Sequence, residues 1–233
     1  MSDHQRTVLV TGAGGFIGSH LASDQLARGR TVRAIDLHLD RLTGLRLQGP
    51  LDARPMDIRA TASLAPMLGG VDTVFHLAAA HLDVLKGEDY FFEVNVAATA
   101  ALARQAAEAG ARRFVHCSSV GVYGPLASLP ADESTPPHPD IAYERSKLEG
   151  ERAVLDAVSD SDMEVAILRP AWVYGPLCPR TEKLVRTIAR RRFFFVGEGA
   201  TLRHPIYISD MLEAFELAAS TPVSQGEIMI AAG

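Results

Sequence analysis

The first forty residues alternate between apolar and glycine-rich stretches in a way that predicts a strand, a turn, a helix and a second strand. Residues 7–11 form a short, largely apolar run, as expected of a buried parallel strand. Four of the residues 12–18 are glycines. A helix is predicted from residue 16 to residue 28 and ends before Gly29. Residues 31–35 are again largely apolar and stop at Asp36. The pattern predicts a β-α-β unit.

The same alternation continues to about residue 170 and then becomes irregular. The further predicted strands are 71–80, 113–119, 165–168, 193–196 and 227–231. The further predicted helices are 89–109, one from residue 142, 181–192, and one that Ser209 caps and that runs to residue 219. Alternation of this kind is typical of an α/β fold, here a Rossmann doubly wound parallel sheet. A proline-rich segment, residues 130–139, is predicted to be a surface loop.

The glycine turn carries the first candidate chemistry. Gly12, Gly15 and Gly18 are spaced three residues apart, which permits a tight turn, close approach of a pyrophosphate to the backbone, and close packing of helix on strand. The free amides at the start of the helix would then face the anion. A flexible loop is the alternative, but the preceding strand and the following Asp36 favour dinucleotide binding.

Two acidic residues are candidates for recognising the adenosine part of a dinucleotide. Asp36 ends the second strand, where a carboxylate can accept hydrogen bonds from both ribose hydroxyls and repel a 2'-phosphate, so NAD is favoured over NADP. Arg33 and Arg41 are the residues that argue for NADP. Asp57 is placed where it could receive the adenine amino group, and a helix N-cap is the alternative.

A second group of candidates lies farther along the chain. Ser118 and Ser119 are the last residues of the predicted parallel strand 113–119, at the end that faces ligands. Tyr143 and Lys147 share one face of a helix, which taken alone would favour an exposed amphipathic pair. The strand at 71–80 ends in alanines, whose small size lets a cofactor lie close. His76, inside that apolar run, is expected to be a hydrogen-bonded core histidine.

Composition narrows the class of protein. The chain has 233 residues, 47% of them hydrophobic, and a net charge of −5 without a basic stripe, which argues against nucleic-acid binding. The two cysteines, Cys117 and Cys178, have no metal-site spacing, so neither a disulfide framework nor a metal is expected. No apolar run approaches the roughly 18 residues of a membrane span, and the polar residues 1–6 are unlike a signal peptide. A cytoplasmic protein without membrane partners is expected.

In its order and spacing of motifs, the chain resembles the extended short-chain dehydrogenase/reductase superfamily, in its NAD-dependent epimerase/dehydratase branch. The resemblance rests on the glycine turn, Asp36, Asp57, the segment 76–79, Asn95, the serines with residues 122–124, Tyr143 with Lys147, and residues 169–170, 174–176 and 203–210. It covers nearly the whole chain. It implies a Rossmann domain over residues 1–170 and a small, truncated substrate-binding lobe over residues 171–233, interleaved with returning Rossmann elements.

The resemblance also implies roles for individual residues. Ser119, Tyr143 and Lys147 would be catalytic: Tyr143 takes a hydroxyl proton, Ser119 hydrogen-bonds the developing carbonyl oxygen, and the Lys147 ammonium lowers the pKa of the tyrosine. The implied NAD-binding residues are Gly12, Gly15, Phe16, Ile17, Gly18, Asp36, Asp57, Ile58, Leu77, Ala78, Ala79, Asn95, Tyr143 and Lys147. The implied substrate-binding residues are Ser118, Ser119, Tyr174 and Arg203, the last of which would bind a diphosphate.

The residues after the serine favour one reaction within the family. Val120 and Gly121 stand where the dehydratase and decarboxylase branches place an acid, so an epimerase of a nucleotide sugar, which needs none, is predicted. A one-way dehydrogenase or reductase of a sugar, a steroid-like substrate or a small alcohol is the alternative, and a non-catalytic NAD-binding protein is a third. The resemblance further implies a homodimer formed through the helices that contain Asn95 and Lys147.

Overall fold

A seven-stranded parallel sheet forms the centre of the computed structural model, which describes residues 6–43, 47–81, 86–126, 129–194, 197–198 and 202–233. Its strands are β1 (Thr7–Thr11), β2 (Thr31–Asp36), β3 (Leu51–Pro55), β4 (Thr73–His76), β5 (Arg113–Cys117), β6 (Glu164–Pro170) and β9 (Glu227–Ala231). Two short strands, β7 (Trp172–Tyr174) and β8 (Pro205–Tyr207), pair in parallel outside this sheet. The strand order β3-β2-β1-β4-β5-β6-β9 confirms the predicted doubly wound fold.

Helices cover both faces of the sheet. They are α1 (Phe16–Ala27), α2 (Asp40–Thr43), α3 (Ala65–Leu68), α4 (Glu88–Phe92), α5 (Thr99–Glu108), α6 (Ala142–Ala157), α7 (Pro179–Ala189) and α8 (Ile208–Ser220). Successive residues of β1 point to opposite faces, so Val8 and Val10 pack with Phe215 of α8, whereas Leu9 packs with Leu102 of α5 and Val154 of α6. The sheet is therefore buried between two apolar layers, as its unbroken hydrophobic strands predict.

The predicted helix at residues 89–109 is present, but its geometry changes along its length. Residues Glu93–Ala98 form a wider π-helical turn between α4 and α5. Asn95 lies in this turn with its side chain 1% exposed. Such turns are rare inside helices and cluster at functional sites, and apolar spacing does not distinguish them from regular helix.

Several predicted strands are shorter than their apolar runs. The run at 71–80 is a strand only over Thr73–His76, and residues 77–80 form a loop at the carboxyl end of the sheet. The strand predicted at 113–119 ends at Cys117. Both strands end where their pairing with the neighbouring strands ends. The residues that follow β4 are still apolar, so that apolar run is longer than its strand.

The irregular part after residue 170 differs most from its prediction. The short strands β7 and β8 were not predicted, and the strand predicted at 193–196 is wrong where it can be judged, since Phe193 and Phe194 are not in a strand; residues 195–196 lie outside the described part. Ser209 does not cap α8: Tyr207 precedes the helix, and the Ser209 hydroxyl bonds Asp210 instead. Strand β9 is present as predicted and pairs with β6.

Two buried arginines form ion pairs that tie neighbouring elements together. Arg30 donates to Glu216 of α8 at 2.6 Å, with both residues at most 8% exposed, and thereby ties the end of α1 to α8. Arg113 of β5 is 1% exposed and lies 2.7 Å from Glu164. Within the described ranges, none of the helices combines the length and the apolar character that crossing a membrane requires.

Candidate active site

The glycine turn joins β1 to α1 in the geometry that its three glycines permit. Gly12 has a φ of +70°, and a side chain there would collide with the backbone of Leu77 and Ala78 at 2.6–2.9 Å. A Cβ on Gly18 would lie 2.1 Å from the Gly12 carbonyl oxygen, so this glycine is required for helix and strand to approach. Gly15, in contrast, is exposed, and a Cβ there would meet only the Gly12 oxygen, at 3.1 Å.

The start of α1 faces the same space. Phe16 and Ile17 form its first turn and are half-buried, and α1 is 12 residues long. Its unpaired amides and partial positive charge therefore point to the exposed backbone around Gly15. This is the arrangement that binds a phosphate or pyrophosphate.

Asp36 lies beside the glycine turn and keeps room for a ligand. Its Oδ2 accepts a hydrogen bond from the Gly14 amide at 2.9 Å and its Oδ1 accepts one from the His38 amide at 3.2 Å. A carboxylate can accept about four hydrogen bonds, so two positions are left for ribose hydroxyls. Gly14 was not singled out from the sequence, although a Cβ there would lie 1.7 Å from the His38 carbonyl oxygen.

The two arginines that argue for NADP are engaged elsewhere. Arg33 donates to the carbonyl oxygens of Met67 and Gly69, at 2.9 and 2.7 Å. Arg41 donates to the Leu177 carbonyl oxygen at 2.9 Å. Neither guanidinium is turned to Asp36 to receive a 2'-phosphate, which supports NAD.

Asp57 follows β3 and forms an ion pair with Arg59. The shortest of its contacts with the guanidinium is 2.6 Å, and the Arg59 amide donates to Oδ1 at 2.9 Å. These hydrogen bonds hold the pKa of Asp57 below its usual value against a smaller opposing effect of burial. Asp57 closes a turn here rather than capping a helix, since Ala60 precedes the next helical turn. Ile58 is 5% exposed.

The loop after β4 is held by polar side chains on two sides. Thr11 Oγ1 accepts from the amides of Leu77 and Ala78, at 3.2 and 3.1 Å. Asn95 accepts from the Ala80 amide at 2.8 Å and donates to the Ala80 carbonyl oxygen at 3.1 Å. Leu77, Ala78 and Ala79 are half-buried. In this structure Asn95 therefore positions the loop, and its predicted contact with a cofactor stays a prediction.

His76 is the core histidine that the sequence predicts. Its two ring nitrogens lie 2.7 Å from Thr11 Oγ1 and 2.9 Å from Thr99 Oγ1. Burial lowers its pKa to about 3, with a smaller contribution from the Lys147 charge. The imidazole is therefore neutral at physiological pH.

Ser119, Tyr143 and Lys147 meet at the carboxyl end of β5. The Ser119 hydroxyl lies near the Tyr143 side chain and lowers its pKa, and Ser119 Oγ accepts a hydrogen bond from the Gly121 amide at 3.0 Å. Lys147 follows one helical turn later, is 3% exposed, and donates from Nζ to the Cys117 carbonyl oxygen at 2.7 Å. The structure thus brings together three residues that are up to 28 positions apart in the sequence.

The electrostatics of this cluster differ from the sequence-based expectation. Burial raises the pKa of Tyr143 to about 12, whereas the hydrogen bond to Ser119 and the charge of Arg180 act in the opposite direction. Burial also lowers the pKa of Lys147. The expected lowering of the tyrosine pKa by Lys147 is therefore not seen, because the ammonium is turned to the Cys117 carbonyl oxygen.

Ser118 is turned into the protein rather than to the cleft. It is 4% exposed and donates from Oγ to Glu151, which also forms a bidentate ion pair with Arg169 at 3.0 and 2.6 Å. Arg169 donates in addition to the Tyr123 hydroxyl at 2.8 Å. The hydrogen bond to Glu151 places Ser118 in this buried network beneath the cleft. The predicted role of Ser118 in substrate binding stays a prediction.

The remaining predicted substrate residues belong to the segment after residue 170. Tyr174 lies in β7, and its ring meets that of Tyr207 at 5.3 Å. Arg203 is exposed and lies two residues before β8. The sequence did not point to Arg180, at the start of α7, or to His81, whose ring packs against that of Tyr143 at 4.8 Å.

Taken together, these residues fit a dinucleotide. The cleft has an exposed glycine backbone at a helix N-terminus, a carboxylate with free acceptor positions, and a tyrosine and lysine at its far end. Among the residues that the structure describes, no group of three or more His, Cys, Asp or Glu side chains could hold a metal ion.

Comparison with curated sequences gives relatives of more than one activity. The chain is 33% identical over 239 residues to UDP-glucose 4-epimerase of Mycolicibacterium smegmatis, covering 94% of this chain and 74% of that protein. It is 36% identical over 204 residues to sterol demethylase protein B of Methylococcus capsulatus, covering 82% and 60%. The matched segments span between 42% and 74% of the length of the curated relatives considered.

Solved structures agree with the fold. UDP-glucuronic acid 4-epimerase from Bacillus cereus, in complex with NAD, superposes with a TM-score of 0.88 at 28% identity, over 97% of this chain and 77% of that one. The model of the NAD dependent epimerase/dehydratase family matches residues 8–232, which include every element described above except the first residue of β1. The chain belongs to the NAD-dependent epimerase/dehydratase family, whose cofactor is NAD.

Proposed function

We propose that this protein is an NAD-dependent 4-epimerase of a nucleotide sugar. The observation that carries the proposal is the cluster of Ser119, Tyr143 and Lys147 at the same end of the sheet as the glycine turn. A dinucleotide bound along that edge, from Asp36 towards Tyr143, would bring its far end to the cluster. When bound, NAD supplies reversible two-electron oxidation of an alcohol carbon.

The chain's own residues handle the proton. Tyr143 is the general base that takes the proton from the substrate hydroxyl, and Ser119 donates a hydrogen bond to the same oxygen as it becomes a carbonyl. With its pKa at about 12, Tyr143 is protonated near neutral pH and needs added positive charge to act as a base. Rotation of Lys147 away from the Cys117 carbonyl oxygen would supply such a charge, worth about 4 kcal/mol at 4 Å and an effective dielectric constant near 20.

Epimerisation follows if the keto intermediate turns within the site. The proton that Tyr143 holds then returns to the same oxygen, the cofactor ends in its starting state, and the substrate keeps its mass. A nucleotide sugar as substrate is supported by relatives named UDP-glucose 4-epimerase and UDP-glucuronic acid 4-epimerase. The exposed Arg203, two residues before β8, is proposed to bind the diphosphate.

A one-way dehydrogenase is the second candidate. It is supported by similarity to the sterol demethylase protein B and by 29% identity to a 3-beta-hydroxysteroid dehydrogenase of Mycolicibacterium neoaurum over 94% of this chain. The same three residues would serve, with one NAD consumed per turnover.

The test is incubation of the purified protein with NAD and a panel of nucleotide sugars and hydroxysteroids. Mass, chromatographic position and absorbance of NADH are followed together. A product of unchanged mass at a new position, without net NADH, is the expected result. Net NADH with loss of two mass units would favour the dehydrogenase, and NAD binding without conversion of any substrate would contradict both.

Two further inferences concern the assembly of the protein. We propose that residues 171–207, with the strand pair β7 and β8, belong to the substrate-binding part, whereas α8 and β9 complete the Rossmann domain.

We also propose a cytoplasmic homodimer formed through α5 and α6, which pack side by side. A monomeric mass in solution at working concentration would contradict the dimer.

A further inference from the structure

Gly121 leaves a space beside the catalytic serine, and a carboxylate from another element fills it. A Cβ built on Gly121 would lie 3.2 Å from Ser119 Oγ, 3.2 Å from Glu144 Cγ and 3.4 Å from Glu144 Oε1. The serine hydroxyl and the Oε1 oxygen therefore border the same small volume. Residue 144 lies 23 positions after Gly121, so the sequence around the serine gives no sign of this acid.

The two oxygens of Glu144 have different surroundings. Oε2 accepts hydrogen bonds from the amides of Asp140 and Ile141, at 3.0 and 3.4 Å, and so caps the start of α6. These contacts fix the orientation of the carboxylate. Oε1 is the oxygen turned to Gly121, and the half-buried side chain lies next to Tyr143 in the sequence.

We propose that Glu144 is a substrate-binding residue, whose Oε1 accepts a hydrogen bond from a hydroxyl group of the sugar that reacts beside Ser119. This inference rests on the proposed function, because it assigns the carboxylate to the sugar of that same site. An ionised carboxylate only accepts hydrogen bonds, so it selects a ligand rich in hydroxyl groups.

The chemistry distinguishes substrate classes. A sugar presents several hydroxyl groups around its reacting carbon, whereas a steroid presents one hydroxyl on an apolar ring system. A carboxylate facing apolar ring atoms would lose its water without gaining a partner, which is costly. Glu144 therefore favours a sugar over a steroid-like substrate.

The test separates the cap from the proposed contact. Glu144→Gln keeps an oxygen for capping but removes the charge that strengthens a hydrogen bond from a hydroxyl group. The matched control is Glu149→Gln, an exposed glutamate on the same helix. The ligand is the nucleotide sugar that the wild-type protein converts in the panel, or UDP-glucose if none is converted, together with its monodeoxy forms and the free nucleotide. Dissociation constants are measured by calorimetry on NAD-loaded protein.

For the wild-type protein, one monodeoxy form should bind about tenfold more weakly than the parent sugar. In Glu144→Gln, parent and monodeoxy forms should bind alike, with the free nucleotide unaffected. Glu149→Gln should behave as the wild type. If Glu144→Gln proves unstable, Glu144→Asp serves instead, because its side chain is one methylene shorter and would withdraw the carboxylate from Gly121 while keeping the charge.

Two kinds of result would contradict the assignment of Glu144, and they have different consequences for the proposed function. If Glu144→Gln left the discrimination between parent and monodeoxy forms unchanged, or weakened the free nucleotide equally, the assignment of Glu144 would be wrong and the proposed epimerase would stand. If the wild-type protein bound no nucleotide sugar at all, the proposed function and the assignment would both be wrong.

Discussion

The buried pair of Arg169 and Glu151 gives the sharpest prediction of stability, because it joins three elements beneath the catalytic serine. Arg169 of β6 is 2% exposed and Glu151 of α6 is 3% exposed. The guanidinium donates twice to the carboxylate and once to the Tyr123 hydroxyl. Replacing Arg169 by Met keeps much of the volume but leaves the Glu151 carboxylate buried with only the Ser118 hydroxyl as a partner.

Removing one partner of a buried ion pair costs about 3–5 kcal/mol. That is a large part of a total free energy of unfolding of about 5–15 kcal/mol. At about 2–4 °C per kcal/mol for a protein of this size, Arg169→Met should lower the melting temperature by about 6–20 °C. Replacing both residues, Arg169→Met with Glu151→Leu, should recover at least half of the loss, because the Glu151 carboxylate that the single variant leaves without its guanidinium is then removed as well.

The assay is urea unfolding followed by circular dichroism, with Arg152→Met, on the exposed side of α6, as the control. The control should change the free energy of unfolding by less than about 0.5 kcal/mol. A loss below about 1 kcal/mol for Arg169→Met, or a double variant as unstable as the single one, would refute this reasoning.

Three further predictions follow from single residues. Burial lowers the pKa of His76 to about 3 in the folded protein, whereas the same histidine in the unfolded chain binds a proton near pH 6.5. Protonation therefore stabilises the unfolded chain, and the free energy of unfolding should fall as the pH drops from about 6.5 towards 3. Urea unfolding at pH 6.5 and 5.5 should show a slope smaller by about 1 kcal/mol per pH unit in His76→Gln, and an unchanged slope would contradict a neutral His76. Gly18→Ala should abolish NAD binding or folding, since its methyl group would meet the Gly12 carbonyl oxygen at 2.1 Å, whereas Gly69→Ala, with open space around it, should bind NAD normally in calorimetry. Asp36→Asn should bind NADP relatively better than the wild type does, because the charge that repels a 2'-phosphate is removed, and an unchanged NAD-to-NADP ratio of dissociation constants would oppose the assigned role.

Local signals in the sequence predicted the parts of the molecule that depend on local geometry. Gly12 and Gly18 are required by one turn, and Tyr143 and Lys147 are one helical turn apart, so spacing alone brings each pair together. The parallel order of the strands follows from their alternation with helices. These are the features that identified the family.

Contacts between distant segments could not be predicted from spacing. Ser118 is satisfied by Glu151, and the space beside Gly121 is taken by Glu144, and both partners come from α6. Within the described part of the chain, the three-residue strands β7 and β8 pair only with each other, and so short a run carries no periodicity. The position of Lys147 also depends on the Cys117 carbonyl oxygen, which explains why its effect on Tyr143 was expected but not seen.

Tyr143 moves the proton in the proposed reaction. The variant Tyr143→Phe tests this role most directly. With the substrate found in the panel, turnover by Tyr143→Phe should fall by about 10²–10⁴-fold, while the dissociation constant for NAD should stay within about twofold of the wild-type value. Tyr90→Phe, which alters a tyrosine of α4, is the control and should retain turnover. A Tyr143→Phe protein that kept most of its turnover would contradict the account.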